Sequence, residues 1–139
     1  MTDTVSKEIR SWIMSRVRGR DTSPEIIVRQ ILHRTGFRFR LHAKDLPGRP
    51  DIVNRRRRIA IFVHGCFWHV HRGCRFATVP KTRIAFWREK LEANVKRDIL
   101  AQKELRQLGW RILVVWQCEL RKPQTLQLKI HRFLGTGNM

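Results

Sequence analysis

Two apolar runs of strand length, Ile59-Ala60-Ile61-Phe62-Val63 and Arg111-Ile112-Leu113-Val114-Val115-Trp116, lie either side of a long helical pattern from Thr82 to Leu108 that stops at Gly109. A helix between two such strands carries the chain back across a sheet, and strands that read as apolar without alternation are covered on both faces. The first run also has an antiparallel neighbour. Asp51-Ile52-Val53 and Ile59–Val63 flank the basic turn Asn54 to Arg58, the pattern of a hairpin whose second arm is apolar enough for the centre of a sheet. Upstream, Phe37, Phe39 and Leu41 alternate with Arg38 and Arg40 as in a half-buried strand, before Leu46-Pro47-Gly48-Arg49-Pro50 breaks the chain.

Helices complete the layout. Ser23 suits an N-cap, Pro24 the first helical position and Glu25 the positive end of the dipole, with Gly36 closing the segment. An earlier helix over about 6–18 follows from Ile9, Ile13 and Val17 at a spacing of four, with Trp12 and Met14 beside the stripe, and a last one runs from Pro123 to Leu134 before Gly135. The order helix, helix, three strands, helix, strand, helix predicts an α/β fold: an α/β/α sandwich with a central mixed sheet. At 139 residues the chain is expected to form a single domain.

Thirty Lys and Arg against eleven Asp and Glu give a net charge of +19, yet 42% of the residues are apolar. Such a chain folds and seeks a polyanion, which points to nucleic acid. There is no apolar signal core after Met1-Thr2-Asp3-Thr4 and no run long enough to span a bilayer, so a cytoplasmic location and no membrane partner are expected. Three cysteines without an export signal favour metal ligation over disulfides.

The densest polar stretch follows a strand: Val63-His64-Gly65-Cys66-Phe67-Trp68-His69-Val70-His71-Arg72-Gly73-Cys74. Cys66, His71 and Cys74, joined by Cys118 past the last strand, make a tetrahedral zinc set with no open position, hence a structural one; the bland alternative is buried thiols and a stray histidine. Asp51 opens a strand and is read either as a turn residue or as a Mg2+ ligand, sharing a sheet edge with the carbonyl of Val63. His64 and His69 are candidate proton-transfer groups, since imidazole titrates close to neutral pH. Asn94 and Asp98 fall on the helix face marked inward by Trp87, Leu91 and Val95, where either a metal–water shell or an arginine would partner the carboxylate. Phe67 and Trp68 are either core or an intercalating wedge, and Met14 and Trp12 are either packed on the core or a wedge from the other groove.

Gly48-Arg49-Pro50-Asp51, Phe62-Val63-His64-Gly65-Cys66-Phe67-Trp68-His69, Val79-Pro80-Lys81-Thr82-Arg83, Phe86-Trp87, Asn94-Val95, Arg97-Asp98, Leu108-Gly109-Trp110-Arg111 and Val115-Trp116 before Cys118 together resemble the very short patch repair endonucleases. The resemblance runs from about Ser6 to Leu134. It implies a restriction-endonuclease-like fold with a zinc-pinned loop, and Mg2+-dependent nicking of double-stranded DNA 5′ of the thymine in a T:G mismatch left by deaminated 5-methylcytosine. By the same resemblance Asp51 and the Val63 carbonyl hold Mg2+, His69 is the general base, and His64, Glu25, Asn94 and Asp98 order the metal waters. Cys66, His71, Cys74 and Cys118 hold Zn2+, Phe67 and Trp68 wedge beside the mismatch, and Met14 approaches from the opposite groove. The implied enzyme is a monomer, associated with the nucleoid when on DNA, with mismatch-repair proteins as candidate partners. Two positions depart from the family pattern: Val63 stands where threonine is usual, and His71-Arg72-Gly73-Cys74 spaces the zinc ligands differently. A non-catalytic zinc-stabilised DNA-binding module is the alternative reading, followed by a basic RNA-binding protein.

Overall fold

The computed structural model describes residues 23–136, so the helix expected over Ser6 to Arg18, with Trp12 and Met14, lies outside the described residues. The described chain runs α1 (Ser23–Arg34), β1 (Arg40–Leu41), β2 (Ile52–Asn54), β3 (Ile59–His64), a 3-10 turn (Arg75–Ala77), α2 (Ile84–Gln107), β4 (Arg111–Trp116), a second 3-10 turn (Gln117–Arg121) and α3 (Pro123–Thr136). The four strands form one mixed sheet in the order β1-β2-β3-β4, antiparallel from β1 to β3 and parallel between β3 and β4.

Alternation along the strands divides the sheet into two faces. Ile52, Ile59, Ile61, Leu113 and Val115 meet Val28, Ile31 and Leu32 of α1 and Leu126, Ile130 and Leu134 of α3. On the other face Val53, Ala60 and Phe62 pack with Ala43 and with Leu105 of α2, flanked by the half-buried Ile112 and Val114. β3 is central and buried almost throughout, and truncating a side chain there, such as Ile61 to alanine, costs about 2–5 kcal/mol. β4, although equally apolar, is an edge strand buried at alternate positions.

Local signals explain most boundaries. α2 ends where Gly109 takes a φ of +89°: its N–H bonds to the Arg106 carbonyl and the N–H of Trp110 to that of Leu105, the closing pattern for which glycine is preferred. The strand expected over Phe37 to Leu41 shrinks to two residues. Phe37 is engaged in closing α1, its N–H donating to the Leu32 carbonyl, and the Arg38 carbonyl is taken by the Asn54 side chain, so the ladder begins only at Arg40. α3 continues through Gly135, where a stop was expected.

Candidate active site

Gly48 has a φ of +74°, and a side chain there would bring a Cβ within 2.7 Å of the Ala101 Cβ and 3.1 Å of the Phe62 ring. Only glycine lets the Leu46–Pro50 break lie this close to α2, and the break delivers Asp51 to the start of β2. The Asp51 carboxylate then crosses to the neighbouring strand, where Oδ2 accepts the Val63 N–H at 2.7 Å. Burial pushes the Asp51 carboxyl up to about 7 against that hydrogen bond, and the nearby Glu25 charge adds to the rise.

Glu25, in the first turn of α1, is 3% exposed. Its Oε2 accepts from the Arg29 guanidinium at 3.1 Å and lies 3.2 Å from Nε2 of His42. The backbone leads His42 to the same place, its N–H donating to the Asp51 carbonyl. Arg29 follows Glu25 by four residues on the same helix, a spacing that pairs the two, whereas His42 reads as a loop histidine and only the fold brings it to the buried carboxylate.

At the end of β3 the His64 ring stacks on that of His69, with centroids 3.8 Å apart and planes 5° from parallel. Burial, with the neighbouring His69, drives His64 down to about 3, so it is neutral across the working pH range. Nδ1 of His69 lies 2.6 Å from Oδ2 of Asp98. An imidazole donating its Nδ1–H to a carboxylate keeps its lone pair on Nε2, the arrangement of a proton acceptor. His64, His69 and Asp98 lie close enough for a shared cation, but stacked rings cannot aim two in-plane lone pairs at one ion, so the stacking disfavours one held by both histidines. One helical turn before Asp98, Asn94 donates to the Trp68 carbonyl at 3.0 Å. Successive loop residues, Trp68 and His69, are thus gripped by successive turns of α2.

Beyond His69 the loop brings Cys66, His71 and Cys74 to Cys118, with all four donor atoms within 4.8 Å of one another. Nδ1 of His71 is 3.3 Å from the Cys118 sulfur and 3.7 Å from that of Cys66. Burial pushes the Cys66 thiol up to about 12 and raises that of Cys118, so these two thiols keep their protons until a cation takes their place. Three sulfurs and one imidazole converging from a loop and a strand end are a donor set that suits zinc.

Phe67 is buried against Trp87, with ring centroids 5.5 Å apart, while Trp68 is half-buried between Phe67 and Trp87 under the Lys90 ammonium. The two aromatic residues therefore belong to a ring cluster that continues to the exposed Phe86. Among the described residues no helix is long and apolar enough to cross a membrane.

Residues 2–75 match the family described as DNA mismatch endonuclease Vsr. Across 134 residues the chain is 51% identical to the type II nicking enzyme V.XorIIP of Xanthomonas oryzae, covering 96% of this chain and 98% of that one. It is 44% identical over 126 residues to the DNA mismatch endonuclease Vsr of Escherichia coli, covering 91% and 80%. A third relative, the type II nicking enzyme V.NmeAIP of Neisseria meningitidis, is 37% identical over 134 residues, covering 96% and 95%. With its match spanning more than half the chain and relatives at least 37% identical over 80% or more of their length, the chain belongs to the Vsr family of DNA mismatch endonucleases.

Proposed function

We propose that the protein is a Mg2+-dependent endonuclease of very short patch mismatch repair, which nicks one strand of double-stranded DNA 5′ of the thymine in a T:G mismatch arising from deaminated 5-methylcytosine. The observation that carries this reading is a juxtaposition at the end of β3: Val63 binds the Asp51 carboxylate, and the next residue, His64, stacks on the His69–Asp98 pair. A carboxylate that can take a cation and a proton acceptor, both anchored at the end of β3, are what hydrolysis of a phosphodiester needs.

Asp51 and the Val63 carbonyl would hold Mg2+, which when bound would supply positive charge against the phosphate. A carboxyl that burial has raised to about 7 gains most from such a cation. His69 takes the proton of the attacking water at Nε2, with Asp98 fixing the tautomer. Neutral His64 sets the plane of His69, and Glu25 and Asn94 order the surrounding waters. Cys66, His71, Cys74 and Cys118 hold Zn2+, fastening the loop to the end of β4. In the same reading Phe67 and Trp68 wedge beside the mismatch, where unstacking costs least, with the Trp87 cluster as their backing, and Met14 enters from the opposite groove. The sheet with helices on both faces accords with a restriction-endonuclease-type α/β/α core, and the enzyme acts as a single-domain monomer in the cytoplasm, at the nucleoid when on DNA, with mismatch-repair proteins as candidate partners.

The test is nicking of a labelled duplex with one T:G mismatch, in Mg2+ and in EDTA, by the native chain and by Asp51→Ala. A single Mg2+-dependent break 5′ of the mismatched thymine, lost in the variant, is expected. Binding without cutting across a set of flanking sequences would replace this reading with that of a non-catalytic DNA-binding module.

A further inference from the structure

The parallel pairing of β3 and β4 sets His64 directly beside Trp116. The His64 ring stands edge-on to the indole, 5.2 Å between centroids at 75°, and the same indole is stacked on His71 at 4.1 Å and 9°. Since His64 is itself stacked on His69, four rings form a continuous column, His71–Trp116–His64–His69, from the thiol cluster to the Asp98 carboxylate. Its two ends carry different chemistry.

Two features make the column more than neighbouring rings. Nδ1 of the buried His64 has no hydrogen-bond partner among the described residues, so packing sets the orientation of that ring. The hydrogen bond from His69 to Asp98 fixes one ring atom but not the ring plane, which the stack on His64 must supply. The main chain of Trp116, by contrast, is held firmly. Its backbone N–H donates to Glu119 Oε1 at 2.8 Å, Lys129 pairs with both oxygens of Glu119, and the same ammonium donates to the Val114 carbonyl. The indole thus projects from an anchored backbone, and its plane is set by the rings against it, His71 on its face and His64 at its edge.

We propose that Trp116 is a positioning residue for the His64–His69 pair, and that through it the state of the Cys66–His71–Cys74–Cys118 cluster sets the plane of the His69 ring. The proposal rests on the reading of His69 as the proton acceptor only for its effect on rate; the structural coupling stands apart from it. Loss of the cation frees His71, which unseats the indole face, and His64 and His69 then turn.

The measurement is a comparison of histidine ring signals by NMR in the zinc-loaded and chelator-stripped protein, for the native chain and for Trp116→Leu. His69 is the reporter, because its ring is stacked on His64 and not on Trp116. Stripping zinc is expected to move the His69 ring signals in the native chain, Trp116→Leu to move them in the loaded protein, and stripping the variant to add little further; such non-additivity marks residues acting in one chain. In nicking assays of the loaded protein, Trp116→Leu should lower kcat by roughly 10- to 100-fold with KM nearly unchanged, and Trp116→Phe should recover most of that loss. Additive shifts, or a His69 ring indifferent to either change, overturn the proposal. Should the leucine variant fail to fold by circular dichroism, Trp116→Phe replaces it in the same cycle: partial non-additivity supports the coupling and full additivity refutes it. A native chain that does not nick the T:G duplex would refute the nuclease reading, while the NMR cycle would still decide the coupling.

Discussion

Replacing Asp51 with asparagine should stabilise the metal-free protein and abolish its chemistry at the same time. Raising the carboxyl from 3.8 to about 7 makes its ionised form about 4 kcal/mol less favourable in the folded state than in the unfolded chain. Between those two values the folded protein keeps a proton that the unfolded chain releases, so the stability of the native chain falls as pH rises from about 4 to about 7 and is level above that. Asparagine is neutral and nearly the same shape, and its Oδ1 can still accept the Val63 N–H. In EDTA at pH 8, Asp51→Asn is expected to be more stable than the native chain by up to about 4 kcal/mol, falling to about 1 kcal/mol at pH 4.5. For a chain of this length that is a rise of roughly 10 °C in Tm at the higher pH. Urea and thermal denaturation followed by circular dichroism at the two pH values measure it, and Mg2+ should narrow the gap by stabilising only the native chain. An asparagine variant no more stable than the native chain at pH 8, or one whose gain is the same at pH 4.5, would refute the reasoning.

Three further outcomes follow from the same geometry. Gly48→Ala, which drives a Cβ into Ala101 and the Phe62 ring at a positive φ, should cost about 2–3 kcal/mol by chemical denaturation and weaken nicking through displacement of Asp51. Asp98→Asn should lower kcat up to roughly 10²-fold with little change in KM, because the His69 tautomer is no longer enforced; single-turnover nicking measures this. Titrating Zn2+ into the metal-free protein at neutral pH in weak buffer should release the thiol protons of Cys66, Cys74 and Cys118, about three per zinc, and Cys118→Ser should remove one of them; calorimetry in buffers of different ionisation enthalpy counts them.

Periodicity and punctuation made most of the architecture legible in the sequence. The hairpin around Asn54–Arg58, the long helix ending at Gly109 and the apolar last strand all lie close to where their patterns put them. What failed was local competition for hydrogen bonds: Phe37 alternates like a strand residue, yet its N–H serves to close α1. The rank of the strands was also hidden, because β3 and β4 are equally apolar and only pairing tells the centre from the edge. At the site, residue types and spacing sufficed to nominate the cysteines, Asp51, His69 and Asp98. They could not separate the two histidines, since His64 differs from His69 by burial and not by type. His42 and Trp116 escaped for a related reason: their roles come from neighbours 17 to 52 residues away in sequence, on other elements.

The parallel register of β3 and β4 gives the molecule a working end and a handling end. Both strands leave the sheet in the same direction, and the two segments that follow them, one into the His64–Cys74 loop and one into the Cys118 turn, carry the cysteine–histidine cluster together with His64 and His69. The other end holds the Asn54–Arg58 turn and the Gly109 turn, joined by the Arg58 guanidinium on the Leu108 carbonyl and by the Arg111 N–H on that of Arg58. Arg56 at its tip is exposed. A fluorophore or tether attached there would allow single-molecule observation of the protein on DNA with the six-residue length of β3 between label and chemistry.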